Sequence, residues 1–210
     1  MKILVCISSV PDTTSKINFT ADKSAFDKNG IQWVINPYDE FALTKAVKLQ
    51  ESQGATVTIA TVGDVATEAV MRKALAIGAN DAIRVNAEPQ DSITVAKELA
   101  KIVEEGGYDL VLCGKESIDY NGGMVPGMLA GLLGFNFVNA CIGIEISGTE
   151  ATTIREIDGG KETATSSLPL IIAGKKGLVE EKDLRIPNMR GIMTARTKAL
   201  NVIEPTADAT

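Results

Sequence analysis

The sequence predicts an α/β fold in which a mostly parallel sheet is flanked by helices, with an antiparallel β extension in the C-terminal third. The first part rests on two observations: short apolar runs alternate with stretches of helical length, and glycines close those stretches. The extension rests on a third, since β-like segments joined by Gly-containing turns follow one another after Phe135. Strands that alternate with helices form parallel βαβ units, so we expect a sheet that is covered on both faces.

The βαβ part is predicted between residues 2 and 114. Its four strands are "KILVCI", "ATVTIATV", "DAIRVN" and "DLVLCG", at residues 2–7, 55–62, 81–86 and 109–114. The helices between them cover residues 39–53, 65–77 and 92–105. The last two helices end at Gly78 and at Gly106-Gly107, as expected for glycine at a helix C-terminus.

Two regions depart from this alternation. Residues 16–34 carry a turn signal, "DKNG", between "KINFT" and "IQWVI", and we expect an excursion or a hairpin there. From about residue 136, "NFVNACIGIEI", "EATTIREI", "ETATSSL" and "LPLIIAG" are predicted to extend the sheet or to form a ribbon beside it. After these segments, "KKGLVEEKDLRIPNMRGIM" is polar and charged, and we expect it to be irregular.

Composition limits the function. The chain has 210 residues, of which 45% are hydrophobic, and a formal net charge of −6, so it can bury a core but does not favour a nucleic-acid backbone. Its apolar runs are too short to span a bilayer, and we expect no direct membrane insertion. We interpret "MKILVCI" as the first strand and not a signal peptide, because polar "SSVPDTT" follows at once.

The absence of histidine excludes whole classes of chemistry. Ser-His-Asp, Cys-His and His-based zinc sites cannot form, so catalysis would have to use carboxylates, lysines or a bound cofactor. The three cysteines, Cys6, Cys113 and Cys141, are far apart in sequence and form no CxxC pair. We interpret them as buried small hydrophobic residues; metal or thiol redox chemistry is the alternative.

Polar segments that follow the strands indicate where a ligand would bind, because ligands of such sheets lie beyond the carboxyl ends of the strands. The most informative is "GKESIDYNGGMVPGM" after the fourth strand. Ser117, Asp119 and Asn121 offer side-chain donors and acceptors, and Gly122-Gly123 can present consecutive backbone N–H groups to an anion. This favours a nucleotide or phosphate site, with a purely structural loop as the alternative.

Two other segments would border the same edge. In "INPYDEFAL", Asn36 is predicted as the N-cap and Pro37 lies in the first turn, with Asp39 and Glu40 beside the positive end of the helix dipole. This pattern is typical of a well-capped helix, and its place near the edge also suits a ligand. Gly63 of "VGD" would let a ligand approach the backbone, or would serve the turn alone.

The charged segment at residues 175–190 has two interpretations. Its spaced apolar residues among charges fit a solvated loop, and they equally fit a partner-docking loop in which one buried anchor supplies most of the binding energy.

Several of these motifs together resemble the β subunit of electron-transfer flavoprotein. They are "KILVCI…VPDT", "WVINPYDEFAL", "RKALAIGANDAIRV", "YDLVLCGKESID", "REIDGGKET" and "PNMRGIMTAR", and they follow one another in the family's order between residues 1 and 204. The resemblance implies a core like that of adenine-nucleotide hydrolases and universal stress proteins. It implies an adenine-nucleotide-binding domain at residues 1–173, a partner-docking loop at 174–193 and a final segment at 194–210, with the family's C-terminal arm absent.

The resemblance also implies a role as an electron carrier with no substrate of its own. The partner would be an electron-transfer flavoprotein α subunit that holds most of the FAD, and the β subunit would bind AMP. Electrons would pass from acyl-CoA dehydrogenases of fatty acid oxidation to a membrane quinone oxidoreductase. The compartment would be the bacterial cytoplasm, in preference to the mitochondrial matrix.

Two rival functions remain. A bifurcating β subunit would hold a second FAD in place of AMP and would exchange electrons with NADH, and a stand-alone stress-type module would bind a nucleotide without an α subunit.

The family's nucleotide loop commonly carries a Thr and a Gln, whereas this chain has "DYNGGMV", so backbone donors replace those side chains.

The family's site residues can be carried over position by position. The cofactor-binding residues would be Cys6, Ser9, Asn36, Tyr38, Asp39, Val62, Gly63, Ser117, Asp119, Asn121, Gly122, Gly123, Met124 and Val125. Among them, Tyr38 would lie near the flavin of the α subunit. The partner-docking residues would be Leu184, Arg185 and Met189, with Met189 as the hydrophobic anchor.

Overall fold

The structure is a computed structural model, and it describes residues 1–206. Its strands are β1 (Lys2–Cys6), β2 (Ser9–Pro11), β3 (Trp33–Ile35), β4 (Thr56–Val62), β5 (Asp81–Val85), β6 (Leu110–Gly114), β7 (Asn136–Ser147), β8 (Glu150–Ile157), β9 (Gly160–Ser167), β10 (Leu170–Gly174) and β11 (Leu200–Ile203). Its helices are α1 (Pro37–Gln53), α2 (Glu68–Ile77), α3 (Ser92–Gly106), α4 (Val125–Leu133) and α5 (Met189–Ala195). Short 3₁₀ turns cover Val65–Thr67 and Glu181–Asp183.

Nine of these strands form one sheet in the order β11-β5-β4-β1-β6-β10-β7-β8-β9. All neighbours from β11 to β7 are parallel, whereas the β7–β8 and β8–β9 pairs are antiparallel. The predicted fold class is therefore confirmed, including the antiparallel extension. Among the described residues, none of the helices has the length and apolar character needed to cross a membrane.

Two cores cover the two faces of the sheet, because successive side chains of a strand point in opposite directions. Ile3 and Val5 of β1 pack with α1 and α2, whereas Leu4 and Cys6 pack with α3 and α4. All three cysteines are buried free thiols in these cores. The carboxyl ends of β1, β4 and β6 lie side by side at one edge of this double-sided core.

The excursion after β1 pairs differently from the sequence prediction. The prediction of a hairpin between "KINFT" and "IQWVI" is wrong, because β3, which lies in "IQWVI", pairs with β2 in an antiparallel ribbon. The chain between these strands, residues 12–32, is the excursion, and within it a single bridge joins Phe19 to Phe26. Three-residue strands carry too little alternation to be recognised in a sequence.

The C-terminal part differs in three places. β10, from "LPLIIAG", lies between β6 and β7 and is parallel to both, so it belongs to the parallel sheet and not to the extension. The segment at 174–193 was expected to be irregular, but α5 begins within it at Met189 and packs on α2. β11 was not predicted, and it adds to the sheet edge beside β5.

Candidate functional site

A cavity of about 500 Å³ lies at the carboxyl ends of β1, β4 and β6, and we call it the carboxyl-edge cavity. Its lining includes ten of the predicted cofactor-binding residues: Cys6, Ser9, Asn36, Asp39, Val62, Gly63, Ser117, Asp119, Gly122 and Val125. The other four, Tyr38, Asn121, Gly123 and Met124, are outside the lining. Three separate βα connections are thus brought together at one place.

Asp39 joins two of these connections to the start of α1. One of its carboxylate oxygens accepts the backbone N–H of Ser8, after β1, at 2.7 Å, and the other accepts that of Gly114, at the end of β6, at 2.9 Å. The side chain is buried, and burial raises the pKa of Asp39 to about 7, against the smaller opposing effect of its hydrogen bonds. The carboxyl group of Asp39 therefore links the end of β1, the end of β6 and the start of α1.

Asn36 holds the connection between β6 and α4, residues 115–124, which we call the β6–α4 loop. It occupies the N-cap position of α1, as predicted, but its side chain makes no capping hydrogen bond. Its Nδ2 donates to the carbonyl of Glu116 at 2.9 Å, and its Oδ1 accepts the N–H of Ile118 at 3.2 Å. The amide thus serves loop geometry instead of the helix end.

The polar side chains of the β6–α4 loop bind one another. The Ser117 hydroxyl bonds Asp119, whose carboxylate also accepts the N–H of Tyr120, and the N–H of Ser117 donates to the carbonyl of Gly122 at 2.9 Å. A Cβ on Gly122 would overlap the Tyr120 ring, so glycine lets that ring lie against the loop backbone. These contacts fix the loop as the third wall of the cavity.

Backbone donors remain free where this loop enters α4. Within residues 1–206, the N–H groups of Gly123, Met124 and Val125 donate to no protein acceptor. They lie at the positive end of the α4 dipole, the part of a helix that attracts anions. Val125 lines the cavity, and Gly123 and Met124 connect it to Gly122, which is also a lining residue.

Gly63 lies in the connection between β4 and α2, which forms the second wall of the cavity. Both its N–H and its carbonyl are hydrogen-bonded to other residues of the protein. Its N–H donates to the carbonyl of Val85 at 3.0 Å, and its carbonyl accepts from Nη1 of Arg84 at 2.9 Å. A Cβ at this position would lie 2.5 Å from a Thr67 methyl carbon. The close packing of the turn therefore requires a glycine at position 63. This matches the second interpretation of "VGD", in which the glycine serves the turn alone.

The rim of the cavity contains residues that sequence reasoning missed. Lys28, in the excursion, pairs with Glu88 after β5 at 3.4 Å, and both residues line the cavity together with Trp33 of β3. The position of the excursion in the sequence could have indicated these residues. An insertion soon after the first strand begins at the carboxyl edge of the sheet and can fold over it.

The lining is rich in negative charge. Its acidic residues are Asp39, Asp64, Glu88, Glu116 and Asp119, whereas Lys28 is its one basic residue in the described part of the chain. An anionic group of a ligand would therefore be held by backbone N–H groups more than by side-chain cations.

The three predicted docking residues lie in different environments. Leu184 packs against the core, and Arg185 is attached to α1 through Thr44, at 3.1 Å, and Glu51, at 2.6 Å. Met189 is 76% exposed at the first turn of α5, where Asn188 caps the helix by accepting the N–H of Gly191. Arg185 is exposed as well, so Met189 is the one exposed apolar side chain of the three.

Comparisons with known proteins identify the family of the chain. A family model described as "Electron transfer flavoprotein domain" matches residues 24–208. The chain is 35% identical over 208 residues to "Electron transfer flavoprotein subunit beta" of Bacillus subtilis (strain 168), covering 97% of this chain and 79% of that protein. It is 36% identical over 201 residues to the protein of the same name from Syntrophomonas wolfei, covering 94% and 77%, and 32% identical over 211 residues to that of Homo sapiens, covering 98% and 82%. With such matches over nearly its whole length, the chain belongs to the electron transfer flavoprotein family, among the beta subunits.

Proposed function

We propose that this chain is the nucleotide-binding beta subunit of a heterodimeric electron carrier, with an electron-transfer flavoprotein alpha subunit as its partner. The observation that carries the proposal is the carboxyl-edge cavity, which is built from three βα connections in a chain of this family. Ligands of open α/β sheets bind at this position. The chain has no proposed substrate of its own.

AMP is the proposed occupant of the cavity. A volume of about 500 Å³ is suitable for a small molecule, and Ala60, Val95 and Leu99 give the lining an apolar part for a base. The N–H groups at residues 123–125 are suited to a phosphate. The acidic lining favours a monophosphate, since each further phosphate would add negative charge near the carboxylates of Asp64, Glu88, Glu116 and Asp119.

FAD is proposed to be held mainly by the alpha subunit, and it supplies the redox chemistry. The beta chain would bind and position it, with half-buried Tyr38 as a surface aromatic near the flavin. Electrons would come from acyl-CoA dehydrogenases of fatty acid oxidation and leave to a membrane quinone oxidoreductase. The proposed setting is the bacterial cytoplasm.

Ligand stoichiometry tests this function. The complex that co-purifies with the chain is denatured, and the released flavin and AMP are counted per beta chain. We expect one FAD and one AMP. Two FAD without AMP would indicate the bifurcating function and contradict the proposal, and so would AMP or ATP on a chain that has no alpha partner.

The proposed domain organisation is a nucleotide-binding domain at 1–173, a partner-docking segment at 174–193 and a final segment at 194–210, of which 207–210 lie outside the described residues. In the docking segment, Leu184 and Arg185 would hold the segment on α1, and Met189 would enter the partner. Ile186 and Met193, which are 81% and 68% exposed, extend the apolar surface around Met189. A single exposed anchor on a short, capped helix is suited to a transient contact.

Met189→Ala should slow electron transfer from a partner dehydrogenase by about tenfold, because truncation of an interface anchor commonly costs more than 1 kcal/mol of binding. The nucleotide content should remain normal, since Met189 does not line the cavity. Stopped-flow reduction of the flavin by the dehydrogenase measures the rate. Ile157→Ala, at an exposed isoleucine on β8, is the matched control and should leave the rate unchanged. Equal rates for Met189→Ala and the wild type would contradict the docking assignment.

A further inference from the structure

Arg84 is a buried arginine whose contacts surround the second wall of the cavity. It lies on β5 and is 5% exposed. Its Nη1 donates to the carbonyl of Gly63 at 2.9 Å and to Oδ1 of Asn86 at 2.9 Å, and its Nε pairs with Glu68 at 3.1 Å. The guanidinium therefore links the β4–α2 turn to the end of β5.

The contact with Gly63 acts on a peptide group whose second residue, Asp64, lines the cavity. The carbonyl of Gly63 and the N–H of Asp64 belong to one peptide group, so a charged donor on the carbonyl polarises the N–H. Asp64 lines the cavity, and its N–H donates to no protein acceptor in the described chain, 1–206. Arg84 thus fixes the orientation of this peptide and strengthens its free donor.

The same hydrogen-bonded chain continues to the C-terminal strand. Nδ2 of Asn86 donates to Oε1 of Glu204 at 3.2 Å, and the N–H of Asn86 donates to the carbonyl of Ile203 at 2.8 Å. Glu204 directly follows β11, which pairs with β5. A continuous path of contacts therefore runs from Glu204 through Asn86 and Arg84 to the Gly63 carbonyl.

A second attachment of this C-terminal segment also reaches an element of the cavity. Oε1 of Glu98, on α3, accepts the N–H of Thr206 at 2.7 Å and its hydroxyl at 2.9 Å. Glu98 is 1% exposed, so a water molecule does not readily replace these bonds. Val95 and Leu99, one turn before Glu98 and directly after it, line the cavity. Both attachments of residues 204–206 thus end on elements that form the cavity.

We propose that Arg84 is a positioning residue for the nucleotide and that it couples the cavity to the C-terminal segment at residues 200–206. The inference rests on the proposed function, because it takes AMP as the ligand. Coupling of this kind is reciprocal, so AMP should protect the segment, and loss of the segment's contacts should weaken AMP binding.

The positioning role is tested with Arg84→Met, which keeps the aliphatic stem but removes every donor. The Kd for AMP is measured with the full chain by calorimetry, after removal of bound nucleotide. We expect Arg84→Met to weaken binding by about tenfold or more, and Arg84→Lys to recover part of it, as a charged hydrogen bond to a ligand-binding peptide is lost and partly replaced. Arg72→Lys is the matched control, since Arg72 donates to the carbonyls of Ala195 and Lys198 and is outside the cavity lining.

The coupling is tested at Glu204, whose side chain is exposed and lies outside both hydrophobic cores. Hydrogen exchange of residues 200–206 is followed with and without saturating AMP. We expect AMP to slow this exchange in the wild type, and Glu204→Ala to reduce the protection and to weaken AMP binding by about threefold. The effects of Glu204→Ala and Arg84→Met should be less than additive in the double variant.

The outcomes separate the two proposals. If the wild type binds AMP and the Arg84 variants bind it equally well, or AMP leaves exchange at 200–206 unchanged, the inference is overturned while the proposed function stands. If the wild type fails to bind AMP, both are overturned. An equal loss of affinity in Arg72→Lys would show that Arg84 acts only through general stability, and that also overturns the inference.

Discussion

Gly114→Ala should lower the free energy of unfolding by about 3 kcal/mol and reduce nucleotide content, because it adds an atom where none fits. A Cβ at position 114 would overlap Oδ1 of Asp39 and would lie 2.8 Å from Cβ of Tyr38 and 3.1 Å from Nδ2 of Asn36. All three belong to the start of α1, so the first turn of that helix would have to move away from β6. The walls joined by Asp39 and Asn36 would separate with it.

Chemical denaturation monitored by circular dichroism measures this change. The matched control is Gly131→Ala, on the surface of α4, where an added Cβ would have no atom within 4 Å and where alanine is the better helix former. The control should keep or slightly raise the stability. If Gly114→Ala is as stable as the wild type, the close packing of α1 on β6 is wrong.

Asp39→Asn should change the pH dependence of stability. Burial raises the pKa of Asp39 in the folded protein to about 7, above the ordinary value of 3.8. Between these values the folded state holds a proton that the unfolded state has released, so the contribution of this group is fully present below about pH 4 and is lost as pH rises through 7. Asparagine has no such proton. The stability advantage of the wild type over Asp39→Asn should therefore shrink by about 3 kcal/mol from pH 5 to pH 8.

Urea unfolding of both proteins at pH 5 and pH 8 checks this expectation. The control is Asp91→Asn, because Asp91 caps α3 and the hydrogen bond from the N–H of Thr94 lowers its pKa. The contribution of Asp91 is lost only at acidic pH, so its substitution should have the same effect at pH 5 and pH 8. A constant difference for Asp39→Asn would contradict the raised pKa of the Asp39 carboxyl.

Much of the parallel sheet could be predicted, since its strands are apolar on both faces and its helices end at glycines. Leu110–Gly114 is buried along its whole length, and such a run is typical of a central parallel strand. Once these strands were placed, the rule that ligands lie beyond their carboxyl ends located the three connections, and ten of the predicted residues line one cavity. Local patterns and one topological rule were sufficient for this part.

The rest depended on contacts between residues far apart in sequence. β11 has no buried face that a periodicity could reveal, and its place is set by pairing with β5. β10 resembled its β-rich neighbours in sequence, and only its insertion between β6 and β7 distinguishes it. Asn36 was placed correctly as an N-cap residue, but its partners Glu116 and Ile118 are 80 and 82 residues away. Arg84 lies within the motif "RKALAIGANDAIRV", but the sequence does not mark it as a site residue, because its contact with the Gly63 carbonyl in the β4–α2 turn forms only in the fold.

The most direct test of the central claim is the adenine nucleotide released by denaturation from the wild type and from Val125→Trp. Val125 lines the cavity at the start of α4, so a tryptophan there would fill the space of the ligand. Leu132→Trp is the control, on an exposed position of the same helix. We expect about one AMP per chain from the wild type and from Leu132→Trp, and almost none from Val125→Trp. Absence of nucleotide from the wild type, or equal amounts from all three, would contradict the assignment of the carboxyl-edge cavity as the nucleotide site.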